Sequence, residues 1–491
     1  MSVRSTTTRR LPTGIPGLDQ IMLGGLPAER PTLVAGTAGS GKTVFALQYL
    51  AEGIRQSDEP GVFITFEEST FDLRRSGTSL GFDIHAWEDD GRWSFVDASP
   101  LVAEDDTIVG RYDLGALVAR VRHAVETIGA KRVCLDSLGA IFDRFQDPAT
   151  VRVELFRVTS ALKEMGVTSV LTVESPEEYG VLSRFGVEEF VADNVLILRN
   201  VLDRDKRRRT VEILKFRGSP HRSGEWLFTI VDNEGIVVIP ISMMALRPEA
   251  STERVTTGNA TLDRMCSGGF YRDSVVIVSG PTGSGKTLMT SEFVAAGVST
   301  GERCVLYSFE ESLEQLLRNA MSWGIDLGAL ERAGKLKIIC EYPEVASLED
   351  HFVAVKNVIE EFSPGRVAID NLSALERISS VRGIRDFIIG LASYLKHSET
   401  TSLITSTTTS LIGGPSITES HISTLADGII LLRYVEYQSE VRRGVVVLKM
   451  RGAAHEKEIL EFTIDESGMH IGEPFVGITG ILGFARSVPG A

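Results

Sequence analysis

Cysteine is scarce in this chain of 491 residues. The four present, Cys134, Cys266, Cys304 and Cys340, are scattered and form no CxxC pair. That argues against a disulfide framework or a zinc site and suits a reducing cytoplasm. No run of 18 apolar residues occurs, and the opening MSVRSTTTRR has no apolar signal core, so a cytoplasmic protein with no membrane partner is expected. Positive charge is in deficit. Fifty-one Lys and Arg against 66 Asp and Glu leave a net charge of −15, a poor balance for generic binding of nucleic acid or anionic lipid. The one dense basic run, residues 204–209, reads as a surface hairpin turn. What is present is ordinary globular usage, 43% hydrophobic and 24% charged, which excludes wholesale disorder. The length implies two to four domains.

The chain repeats itself. Thr13-Gly-Ile-Pro-Gly-Leu-Asp19 is echoed by Thr257-Gly-Asn-Ala-Thr-Leu-Asp263, and Gly36-Thr-Ala-Gly-Ser-Gly-Lys-Thr43 by Gly280-Pro-Thr-Gly-Ser-Gly-Lys-Thr287, both 244 residues on. Phe66-Glu-Glu-Ser69 recurs at Phe309 to Ser312 after 243 residues. Asp136, Asp193 and the Lys215-Phe-Arg-Gly218 segment recur at Asp370, Asp427 and Lys449-Met-Arg-Gly452 after 234. An offset that shrinks only between motifs marks two homologous domains with loop deletions, not a short-period solenoid. The expected boundaries are a first domain over 1–244, a linker over 245–256, a second domain over 257–475 and a short tail over 476–491. Within each half, short β-branched runs (32–36, 61–66, 132–136, 169–173) alternate with amphipathic stretches (43–54, 114–128, 151–165). This predicts an α/β fold with a mainly parallel sheet flanked by helices. Residues 210–215 and 445–449 suggest a closing hairpin.

GxxxxGK[ST] after a strand and before a helix is a P-loop, whose backbone N–H groups and helix N-terminus cradle phosphates. Two in corresponding places assign ATP binding to Gly36, Thr37, Ala38, Gly39, Ser40, Gly41, Lys42 and Thr43, and to Gly280, Pro281, Thr282, Gly283, Ser284, Gly285, Lys286 and Thr287. Lys42 and Lys286 should reach the β- and γ-phosphates, and the Thr43 and Thr287 hydroxyls should ligate Mg²⁺. Asp136 and Asp370 end apolar strands, where a carboxylate holds the Mg²⁺ shell. Glu310 is counted with them as a metal ligand. The pairs Glu67–Glu68 and Glu310–Glu311 follow the strand after each P-loop helix. There a carboxylate can take a proton from attacking water or hydroxyl, and either member of each pair can be the base. Lys215, Arg217 and His221, with Arg222, and Lys449, Arg451, His455 and Lys457 sit at strand ends far from the P-loops in sequence. They read as fingers reaching a neighbouring subunit's phosphates, which predicts an oligomer. The plain alternative is a basic hairpin tip.

The stretches TGIPGLDQIMLGGLP, EEYGVLSRFGVEEFVADNVLILRNV, RNAMSWGID and ITESHISTLADGIILLRYVE resemble the KaiC family of circadian-clock ATPases and autokinases, within the RecA/DnaB-like superfamily. The resemblance runs through both halves in order. It implies two tandem RecA-like domains in a double-ring homohexamer, with ATP at subunit interfaces of both rings. The first domain would be the ATPase and the second a serine/threonine kinase. The autophosphorylated pair falls on Ser423 and Thr424, with Thr418 as an assisting neighbour. Arg377 and Arg385 match kinase-ring interface arginines. A KaiB-type protein is the expected partner of the first ring, and residues 112–117 lie in the relevant region. A downstream signalling kinase is a further partner the resemblance allows. A KaiA-type activator is not expected, because the chain stops at Ala491. Two positions depart from the family: Asn371 stands where Ser is usual, and Ala426 where Thr is. Counting back from the paired aspartates, Ser423 and Thr424 meet Glu189 and Phe190, so the first half offers no hydroxyl to phosphorylate there.

The resulting reading is an ATP-hydrolysing, autophosphorylating kinase using ATP and Mg²⁺. Two other classes share its core: a nucleic-acid motor of RecA or DnaB type, and a nucleotide-switched scaffold without kinase activity. The motor needs basic or stacking loops, and with none strong in this sequence no nucleic-acid partner is expected.

Overall fold

The computed structural model describes residues 9–99, 114–142, 147–182, 192–203, 206–240, 251–408, 426–437 and 440–476. They fall into two compact units that part near residue 243. In the first, the main-sheet strands are β1 (Pro31–Gly36), β2 (Gly61–Thr65), β3 (Trp93–Asp97), β4 (Arg132–Asp136), β5 (Thr168–Glu174), β6 (Asn194–Asp203), β7 (Lys206–Phe216), β8 (Glu225–Val231) and β9 (Gly235–Ile239). In space they run β3-β2-β4-β5-β1-β6-β7-β8-β9. The six from β3 to β6 are parallel, and β7–β8 and β8–β9 pair antiparallel.

The second unit has β10 (Val275–Gly280), β11 (Cys304–Ser308), β12 (Leu336–Cys340), β13 (Arg366–Asp370), β14 (Thr401–Thr407), β15 (Gly428–Tyr437), β16 (Glu440–Met450), β17 (Leu460–Asp465) and β18 (Gly468–Pro474). Their order, β12-β11-β13-β14-β10-β15-β16-β17-β18, repeats the first sheet strand for strand. The expected α/β fold with a mainly parallel sheet and a closing antiparallel hairpin is what forms. The linker shortens by its last residues. Arg254–Val255, expected within it, pair with Phe270–Tyr271 in the same way that Arg10–Leu11 pair with Leu26–Pro27.

Continuous apolar runs make these strands because both sheet faces are covered. All six residues of β1 are buried, with Val34 in one apolar cluster and Leu33 and Ala35 in another. Each fully buried aliphatic side chain contributes about 1.5–3 kcal/mol. The P-loop helices are α1 (Lys42–Ser57) and α2 (Lys286–Ser299). Each unit also buries one arginine on the second strand from β1 or β10. Arg132 donates to the carbonyls of Tyr49 and Pro12 at 3.0 and 2.9 Å and pairs with Glu59 at 2.8 Å. Arg366 donates to the carbonyls of Phe293 and Thr256 at 3.3 and 2.7 Å and pairs with Glu302 at 2.9 Å. The guanidinium carbons lie 4.8 Å from the Tyr49 ring and 5.0 Å from the Phe293 ring.

The repeated TG…LD motif is a clamp. Asp19 accepts the N–H groups of Thr13 and Gly14, and Asp263 accepts that of Thr257.

Candidate active site

Each phosphate loop leaves the central strand of its sheet and enters a helix. The turn depends on glycine at two kinds of position. Gly41 and Gly285, which cap the helices, have φ of 97° and 99°, a left-handed conformation that side chains disfavour. A Cβ on Gly36 or Gly280 would stand 2.4 or 2.6 Å from the Ser40 or Ser284 hydroxyl oxygen. Lys42 Nζ donates to the carbonyls of Gly36 and Thr37, both at 2.9 Å, and Lys286 Nζ to those of Gly280 and Pro281 at the same distance. Burial lowers both ammonium groups below the ordinary lysine range. Glu174, Asp136, Glu67 and Glu178 oppose it at Lys42, and Asp370 and Glu310 at Lys286. An ammonium held half-dry above a ring of carboxylates is primed to accept a polyanion.

The hydroxyls and aspartates assigned to metal lie within hydrogen-bond distance of one another. Thr43 Oγ1 donates to Asp136 Oδ2 at 2.7 Å, and Thr287 Oγ1 to Asp370 Oδ2 at 2.6 Å. Thr172 and Thr405, on the adjoining strand, donate to the other oxygen of each aspartate. Burial raises Asp370 above the usual carboxylate range against the hydroxyls of Thr287 and Thr405. Hard oxygens in pairs, with no group of three His, Cys, Asp or Glu able to hold a metal among the described residues, fit Mg²⁺, which takes one or two protein ligands and completes its shell with water and phosphate. Each aspartate precedes a cis peptide bond.

The glutamates sit on the rim. Glu67, Glu68 and Glu310 are exposed and Glu311 half-buried. Burial raises Glu68, with Asp136 adding to it, and burial raises Glu311, with Asp370 adding and the Asn319 amide opposing. In the second unit Glu310, Glu311, Lys286, Thr287 and Asp370 share one cleft of about 480 Å³, which Asn319, Trp323, Thr407 and Arg443 also line. Asn371 Nδ2 donates to Glu310 Oε2 at 3.1 Å. In the first unit Glu178 accepts from the Thr37 hydroxyl at 2.7 Å and from the Asn200 N–H at 3.0 Å beside the loop. The expected sites did not include Asn371, Thr407, Thr172, Thr405 or Glu178. Thr172 and Thr405 could have been found, since they recur 233 residues apart.

The proposed fingers are not gathered at the P-loop of their own unit, and they do have ligands in it. Arg217 pairs with Asp193 at 3.3 Å and Arg451 with Asp427 at 3.7 Å. Lys215 and Lys449 donate to the carbonyls of Ala192 and Ala426, both at 2.8 Å. The His221 ring packs edge-on against Phe216, while His455 is half-buried and Lys457 exposed. Arg377 pairs with Glu344 at 3.1 Å, and Arg385 is exposed. Thr418, Ser423, Thr424, Glu189, Phe190, Tyr112 and Asp113 lie outside the described residues. Among the described residues no helix is long and apolar enough to cross a membrane.

The chain matches a family model described as "ATPase: KaiC" over residues 11–243 and again over 255–475. It is similar to Circadian clock protein KaiC3 of Synechocystis sp., 57% identical over 96% of this chain and 94% of the relative. It is also similar to Circadian clock oscillator protein KaiC of Picosynechococcus sp., at 48% identity over 95% of this chain and 90% of the relative, and to that of Thermostichus vulcanus, at 48% over 97% and 92%.

Proposed function

The chain belongs to the KaiC ATPase family, and from that membership we propose a circadian-clock protein that hydrolyses ATP and phosphorylates itself. The observation that carries this reading is the doubled site: loop, lysine, Thr–Asp pair and glutamates recur in both units at matched strand ends. The P-loop N–H groups with Lys42 and Lys286 bind the phosphates. Thr43 with Asp136, and Thr287 with Asp370, would hold Mg²⁺, which supplies charge neutralisation on the phosphates. Glu310 is a further candidate ligand. Glu67 and Glu310 act electrostatically on the P-loop lysines. The Asn319 amide engages both oxygens of Glu311, so Glu310, and by correspondence Glu67, is the member assigned to take a proton, from a hydroxyl of Ser423 or Thr424 in the second unit and from water in the first.

A homohexamer gives Lys215, Arg217, His221, Lys449, Arg451, His455 and Lys457 a neighbouring subunit's phosphates to meet, with Arg377 and Arg385 at the kinase-ring interface. The cis partners Asp193 and Asp427 would then orient Arg217 and Arg451 rather than compete with them. A KaiB-type protein is the proposed partner of the first ring.

Intact-mass analysis and phosphopeptide mapping after incubation with Mg·ATP test the proposal. Phosphate on Ser423 and Thr424, reversed by ADP, is expected. Hydrolysis with both residues unmodified would leave an ATPase and remove the kinase.

A further inference from the structure

The two units carry the same site with one difference at the end of the strand bearing the metal-shell aspartate. In the first unit Asp136 is followed by Ser137, whose hydroxyl accepts the Gly139 N–H at 3.2 Å. In the second, Asp370 is followed by Asn371, only 1% exposed. The Asn371 amide is fixed from both ends. Its Oδ1 accepts the Ser373 N–H at 3.1 Å. That assigns the other end as the donor, and Nδ2 reaches Glu310 Oε2 at 3.1 Å and Thr407 Oγ1 at 2.5 Å. Thr407 ends β14, and its counterpart at the end of β5 is Glu174. The second unit thus has an amide and a hydroxyl where the first has a hydroxyl and a carboxylate.

We propose that Asn371 is a positioning residue for the second site, holding the Glu310 carboxylate by one oxygen so that the other faces the cleft. Glu310 is an exposed glutamate on a loop, with three side-chain torsions to fix. A donor mounted on a buried strand end, itself locked by Ser373 and Thr407, is the kind of support that keeps a reacting group in one geometry. The hydroxyl of Ser137 ends one atom beyond Cβ and is turned to its own backbone, so the first site has no equivalent amide. The second site's glutamate is thereby held in advance of substrate. This rests on the reading of Glu310 as the proton acceptor given above.

The test uses the full chain in a Glu67→Gln background, so that turnover reports mainly the second site. Asn371→Ser should lower second-site kcat, for hydrolysis or transfer, about tenfold or more while leaving KM and the Kd for ADP within twofold. Asn371→Asp keeps the shape and the acceptor for Ser373 but replaces the donor by a negative oxygen, and should be at least as slow. Added to Glu310→Gln, Asn371→Ser should slow nothing further. An unchanged kcat in Asn371→Ser, an equal drop in the Glu310→Gln background, or lost ADP binding in both Asn371 variants would overturn the proposal. If the wild-type second site shows neither hydrolysis nor transfer, the functional reading itself fails and Asn371 has no reaction to serve.

Discussion

Glu292 is a carboxyl where the first unit has an amide, and replacing it by glutamine has a calculable, pH-dependent effect. At the matching place in α1, Gln48 donates to the carbonyls of Glu234 and Ile236, both at 3.1 Å, and accepts the Ile236 N–H at 2.6 Å. Glu292 in α2 accepts the Met469 N–H at 2.9 Å. It sits under Gly468, where a Cβ would lie 2.7 Å from Oε1. Burial pushes the carboxyl from 4.5 to about 7, against the pull of the Met469 N–H and His470. The folded state therefore holds this proton more tightly than the unfolded chain. Its contribution is fully present below about pH 4.5 and is lost as pH rises through about 7. Raising the carboxyl from 4.5 to about 7 corresponds to at most about 3.4 kcal/mol. Glu292→Gln cannot ionise and can make the bonds Gln48 makes. Its stability advantage over wild type should thus grow by about 2–3 kcal/mol between pH 5 and pH 8. In a domain of this size that is about 5–10 °C in Tm. Calorimetry of the full chain at both pH values measures the difference. Hydrogen exchange, corrected for intrinsic rates, should assign it to residues 286–299 and 468–474. An advantage equal at the two pH values, or protection gained in the first unit instead, would refute the reasoning.

Two further outcomes follow from the paired sites and the paired arginines. Glu67→Gln should lower total ATP hydrolysis by about 10²–10⁴-fold at the first site while sparing phosphate incorporation, and Glu310→Gln should do the reverse. Radiolabelled ATP distinguishes the two, and unchanged rates in both variants would remove these glutamates from the mechanism. Arg366→Ala leaves two backbone carbonyls without their donor, and Glu302 with only Arg272 at 3.4 Å and the Thr300 hydroxyl at 3.2 Å, in a site where the arginine is 1% exposed. It should cost about 3–5 kcal/mol in chemical denaturation, and Arg132→Ala should do the same for the first unit. A loss below about 1 kcal/mol would show that the carbonyls find other partners.

The sequence carried the architecture well because the duplication supplied its own control. A strand–loop–helix read at 32–54 could be checked at 276–298, and both formed. The same doubling picked out the P-loop threonines and aspartates, which meet in each unit. What stayed hidden depended on distance in the chain. Asn371 meets Glu310 across 61 residues, and Thr405 meets Asp370 from the next strand, so neither is visible in a local motif. The cis partners of the fingers were also hidden. Lys215 and Arg217 meet Ala192 and Asp193 on a chain segment 23 and 24 residues earlier. Only strand pairing brings them together. The TG…LD clamp is visible as a repeat, but its work is structural.

The buried arginine of each unit has a mechanical side. One planar fork grips the P-loop helix at Phe293, the strand end that carries Arg366 itself, and the incoming chain at Thr256. Five N–H groups in fixed relation leave little slack. Any displacement of that helix must drag the arginine or break its bonds. The nearest point that can yield is the entry of the chain. In the first unit the same lever ends at Pro12. In each unit a single side chain thereby ties the position of the phosphate-loop helix to that of the entering chain.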